Sequence, residues 1–153
     1  MESSDQTERR RIELERSAPV SPRSVWKRIS MDGRDVVLLC GTVGAAFDVW
    51  QRRLSVTSAA DAWLSQQIGL EAVERVMDEA EAEARAAVEK EGRRLRPRRS
   101  PGYGNLPIGM SREIVRLLDA TRRIGVAVTD SDLLVPSKSV TAICETEDGA
   151  RES

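Results

Sequence analysis

Residues 98–109, RRSPGYGNLPIG, gather the residue types suited to a shaped binding loop: two arginines, then two prolines, three glycines and a tyrosine. Proline fixes φ and lacks an N–H, while glycine adds conformational freedom, so this stretch is neither helix interior nor central strand. Just upstream, KEGRRLRPRR at 90–99 carries six basic residues in ten, a density that can hold phosphates. An acidic helix precedes it and no aromatic residue interleaves it for stacking, so a solvated charge run is expected and nucleic acid is not an expected partner. Lys138 has the type required for Schiff-base or general-base work, but no partner acid is evident for it. The chain contains no histidine. It therefore offers no histidine base, no His-containing zinc site and no imidazole ligand for cobalt or haem iron. Cys40 and Cys144 lie in apolar, strand-like surroundings and read as buried free thiols.

These residues must be positioned by a chain of 153 residues, enough for one domain with a real core. Charged residues make up 32% of it, yet the formal net charge is −1, which gives no general attraction to nucleic acid or membrane. The longest nearly apolar stretch, VVLLCGTVGAAF at 36–47, is far shorter than the roughly 20 residues a spanning helix needs. The N-terminus lacks an apolar signal region, so a cytoplasmic location is expected. Residues 1–24 read as a flexible arm, 25–145 as the folded domain and 146–153 as a flexible acidic tail.

Within the domain, Asp32-Gly33 signals a turn and DVVLLCGT a buried strand. Gly41 and Gly44 then turn the chain into a helix with Phe47, Trp50 and Leu54 at helical spacing. Ser58 is placed to cap a second helix running to about residue 92, with Trp63, Leu64, Ile68, Val73, Met77, Ala80, Ala84 and Val88 on one face and Gly69 as a break or bend. Its alanine stripe predicts close packing. After the loop, Ser111 is placed to cap a short helix that Gly125 follows, and GVAVT, DLLVP and SVTAIC read as three short strands. Helices in the middle and strands towards both ends predict an α+β fold, helices packed on a mainly antiparallel sheet.

RRSPGYGNLPIG, followed by a short helix and IGVAVTDSDLLVPSKSVTAI, resembles the activation domain of cobalamin-dependent methionine synthase and its small free-standing relatives. The pattern has the form R-x-S-P-G-Y-G-D-L-P, a helix, then I-G-x-x-L-T-x-S-x-x-M-x-P-x-K-S-V-[ST]-A-I. VVLLCGTVGAAFD and GLEAVERVMDEAE resemble the family's upstream strand and acidic helix, so the likeness spans roughly residues 34–144. Asn105 stands where free-standing members usually have aspartate.

The resemblance implies a domain that binds S-adenosylmethionine and presents its methyl group to a cobalamin on another domain, restoring an oxidised cobalt to its working cycle. The family's ligand signature, R-x-x-x-G-Y, falls on Arg98, Gly102 and Tyr103, with Ser100 between them approaching the ligand through its backbone. An arginine fork suits the methionine carboxylate, a glycine admits close main-chain approach, and a tyrosine face tolerates a cationic sulfur. The family's acidic contact falls on Glu74, with Glu71 the alternative one turn away. Pro136, Lys138 and Ser139 belong to a block that lies near the corrin in the family. The implied cofactors are S-adenosylmethionine and a cobalamin carried by a partner. The implied partners are a corrinoid-binding protein or methyltransferase and a separate reductase as electron source. The alternative is a relative that keeps the fold as a binding or assembly module without a ligand.

Overall fold

Asp32 and Gly33 both have positive φ (51° and 77°), the geometry of the two-residue hairpin turn whose twist matches its flanking strands. They join β1 (Arg23–Met31) to β2 (Arg34–Thr42), with Met31 opposite Arg34. The computed structural model describes residues 2–149. In chain order its elements are α1 (Glu2–Ser17), β1, β2, α2 (Ala45–Thr57), α3 (Ala59–Glu89), β3 (Arg93–Leu95), α4 (Met110–Leu118), α5 (Ala120–Ile124), β4 (Ala127–Val128), β5 (Leu134–Val135) and β6 (Ser139–Asp148). The main sheet is antiparallel in the order β1-β2-β6-β3, and β4 and β5 form a separate two-stranded ribbon. The expected α+β arrangement is the observed one.

β2 reads as a continuous apolar run because both of its faces are covered. Val37 and Leu39 pack with Met77, Ala80, Ala84 and Val88 of α3, whose alanines let the helix lie close. Val36, Leu38 and Cys40 face the other way, onto Ile114, Val115 and Leu118 of α4 and Ile124 of α5. A third cluster joins Leu14, Phe47, Leu64, Ile68 and Val73, tying α1 and α2 to the first half of α3. Ser58 caps α3 as expected, accepting the Asp61 N–H at 3.1 Å.

Several expectations are corrected. The presumed arm at 1–24 contains α1, held by Leu14, 2% exposed, and by ion pairs from Arg10 to Asp61 and from Arg11 to Glu71. The boundary at residue 25 falls inside β1. The tail at 146–153 is strand as far as Asp148, Gly149 N–H donates to Gly92 O at 3.0 Å, and residues 150–153 lie outside the described residues. α3 passes through Gly69 unbroken: a Cβ there would sit 2.7 Å from the Phe47 ring and 2.9 Å from Lys138 Cε, so glycine serves a close approach. Trp63, assigned to the inner face, is 62% exposed. Ser111 lies inside α4, which starts after Gly109, and its hydroxyl meets Thr141 Oγ1 at 3.0 Å. Among the described residues no helix is long and apolar enough to cross a membrane.

Candidate functional site

After β3 the chain continues beside β6. Arg96 N–H donates to Glu145 O at 2.8 Å, and Arg99 and Ile143 exchange both main-chain bonds at 2.9 and 2.8 Å. This segment delivers the Arg98 side chain to α3, where Glu74, Asp78 and Glu81 share one face at helical spacing. The guanidinium lies 2.7 Å from Glu74, 2.8 Å from Asp78 and 3.0 Å from Glu81, and its side chain is only 18% exposed. Burial alone would lower its pKa, but the bonds to Asp78, Glu81 and Glu74 outweigh that and raise it. Counting Arg85, which pairs with Glu81 at 3.0 Å, three carboxylates meet two guanidiniums, leaving one negative charge in excess.

Beyond Ser100 the chain closes a tight loop. Gly102, at φ 92°, donates its N–H to Leu106 O at 2.8 Å, and Leu106 N–H returns to Tyr103 O at 3.2 Å. The loop turns the Tyr103 ring outward, 75% exposed. Between it, α3, α4 and the start of β6 lies a cavity of about 800 Å³ whose wall includes Glu74, Arg98, Ser100 and Tyr103. That volume is in the range of sites for drug-sized ligands. Gly102 stands behind this wall, against Ile108. Glu71 does not line the cavity and pairs with Arg11 instead, so the geometry separates the two candidate glutamates.

Of the rest of the wall, sequence reasoning named Ser139 alone, through the block that lies near the corrin in the resembled family, and missed the others. Leu70 and Val73 form an apolar side on α3, Leu133 stands on the ribbon connection and Leu134 at the start of β5, and Ser139 and Thr141 supply a polar floor. Only their place near the loop after folding marks them, because they come from segments far apart in the chain. Lys138 is 6% exposed, its stem beside Gly69 and its Nζ 3.4 Å from Gln51 Oε1. Burial lowers its pKa, and Asp48 opposes that shift. Ser137 is anchored to Asp48 through its N–H at 2.9 Å, which fixes this connection to α2. Cys40 and Cys144 are free and buried, and burial pushes each thiol up to about 12, as unreactive structural cysteines. No group of three metal-ligating side chains occurs among the described residues.

Compared with solved structures, the chain superposes on a crystal structure of the MetH reactivation domain bound to AdoHcy with a TM-score of 0.63. It has the fold of that reactivation domain. The match takes in 99% of this chain and 67% of the reactivation domain, at 13% sequence identity. No protein-family model matches the sequence, and no curated protein matches it.

Proposed function

We propose that the protein binds S-adenosylmethionine in the cavity beside Tyr103 and serves as an accessory to a separate corrinoid protein, supporting reductive methylation of its cobalt in the cytoplasm. One observation carries this reading. The Arg98 guanidinium and the Glu74 carboxylate, 2.7 Å apart, sit together on the wall of a cavity whose rim is an exposed tyrosine ring. An amino-acid end group carries a carboxylate and an ammonium side by side. By entering between Arg98 and Glu74 it replaces one ion pair with two, the carboxylate on the arginine fork and the ammonium on the glutamate. The excess negative charge of the α3 cluster favours a ligand with net positive charge, and a sulfonium supplies it. The fold neighbour, with AdoHcy bound, supports the same ligand class.

The residues then act by positioning. Arg98 and Glu74 fix the amino-acid end, the Ser100 segment lines the wall, and Tyr103 offers a π-face to the cationic sulfur. The chain has no histidine to give a cobalt, and we place the corrinoid on the partner. When that group is bound it supplies the nucleophilic Co(I), and a separate reductase supplies its electron.

A second reading is favoured by the completeness of the Arg98 cluster: with three carboxylates satisfied, the arginine clamps the 96–99 segment to α3 without a ligand. The protein would then be an assembly module that retains the fold. Titration calorimetry with S-adenosylmethionine and S-adenosylhomocysteine separates the two. Saturable binding of either supports the first reading; absence of heat up to millimolar ligand, with and without a corrinoid protein present, selects the second.

A further inference from the structure

β6 is paired on one side only along its first residues. Main-chain bonds from Val43 N–H to Lys138 O, between Arg99 and Ile143, and from Arg96 N–H to Glu145 O fix the alternation. The amides and carbonyls of even-numbered residues here turn towards β2, and those of odd-numbered residues turn away from it. At Ile143 and Glu145 the outward groups meet the 96–99 segment. At Ser139 and Thr141 that segment has already bent away through Ser100 and Pro101, and the outward edge borders the cavity instead. Among the described residues no main-chain group pairs with the Ser139 carbonyl or the Thr141 amide on this edge. Buried main-chain groups of this kind are nearly always paired, with protein, water or ligand.

The geometry points to the Ser139 carbonyl and the Thr141 N–H as the reader of a six-aminopurine base, with the exocyclic amine donating to Ser139 O and the ring N1 accepting from Thr141 N–H. An acceptor and a donor two residues apart on one strand edge present the complement of adenine's amine edge. Apolar side chains of Leu70 and Val73 on one side and Leu134 on the other bound the slot in which a flat ring would lie. This assignment rests on the proposed function for the identity of the whole ligand, but it concerns a different part of the cavity from Arg98 and Glu74 and stands on a different observation.

The test uses the purified chain, with adenosine, inosine and S-adenosylmethionine as probes. Inosine replaces the amine by a carbonyl and places a proton on N1, so it sets acceptor against acceptor and donor against donor. Adenosine is expected to bind about tenfold or more tightly than inosine, since a site built to hydrogen-bond a group rejects the analogue that inverts it. Thr141→Pro removes an N–H that β2 does not use, and it should weaken adenosine and S-adenosylmethionine by a similar factor. Thr141→Val, which keeps the N–H and loses the hydroxyl, should retain the adenosine preference. If inosine binds as well as adenosine, the base assignment fails whether or not the proline variant folds. If S-adenosylmethionine binds the folded Thr141→Pro variant as tightly as the parent, the assignment fails while the proposed function stands. Thr141-dependent binding of adenosine without binding of S-adenosylmethionine upholds the assignment and overturns the proposed function. Binding of neither overturns both.

Discussion

Tyr103 is the residue whose placement bears most directly on function. An aromatic ring left 75% exposed at the rim of a cavity contributes little to the fold, so its removal tests ligand contact with little interference from stability. Tyr103→Ala should leave the unfolding free energy within about 0.5 kcal/mol of the parent, the norm for exposed positions, and the thermal midpoint nearly unchanged. It should weaken S-adenosylmethionine about fivefold, the scale of a lost aromatic or cation–π contact of about 1 kcal/mol. Calorimetry on parent and variant reads both quantities, and unchanged affinity would remove the ring from the site. Glu74 and Glu71 illustrate how far residue types alone reach. Both sit on the acidic helix one turn apart, and only the fold shows one at the cavity beside Arg98 and the other at α1 with Arg11.

Elements were legible in proportion to how much of their stability is local or patterned. The β1–β2 hairpin announced itself in Asp32-Gly33, and β2 in an apolar run that only two-sided burial explains. α1 was not legible, because its hold on the fold depends on single residues that meet partners some fifty or sixty positions away, Arg10 on Asp61 and Arg11 on Glu71. Leu14→Ala should therefore cost about 2–4 kcal/mol in denaturant unfolding, the usual range for a buried leucine, whereas a loosely attached arm would lose nothing. The candidate loop was legible as a loop from its prolines and glycines, but its cavity was not, since the opposite walls come from α3 and β6. The hairpin also carries a pH signature. Asp35 lies between Arg28 at 2.7 Å and Arg93 at 3.1 Å, and chiefly the Arg28 bonds hold its carboxyl at about 2, below the usual 3.8. A lowered carboxyl adds stability that is complete above its unfolded value and is lost as pH falls towards its folded one. Unfolding free energy should decline between about pH 4 and pH 2 through this group. Asp35→Asn should flatten that limb and lower stability at neutral pH.

For the whole molecule, the two functional readings differ in how ligand and stability are linked. A ligand that binds only the folded chain stabilises it by about 2.7 kcal/mol at a hundredfold excess over Kd, and for a domain of this length that is a rise of roughly 5–10 °C in midpoint. Arg98 lies at the junction of both effects. Without it, Glu74 and Asp78 face each other across a turn of α3 without their guanidinium, and the 96–99 segment loses its tie to the helix. Arg98→Ala should therefore lower the ligand-free midpoint under either reading, since losing hydrogen bonds between charged groups costs about 1–3 kcal/mol of unfolding free energy. Only the ligand-binding reading adds that the parent's S-adenosylmethionine-induced rise disappears in the variant. Thermal scans of parent and Arg98→Ala, each with and without ligand, resolve the two contributions. A baseline drop with no ligand response in either chain would make Arg98 a clamp and the fold an assembly module. A response retained in full by the variant would instead move the ligand's acidic end away from this arginine.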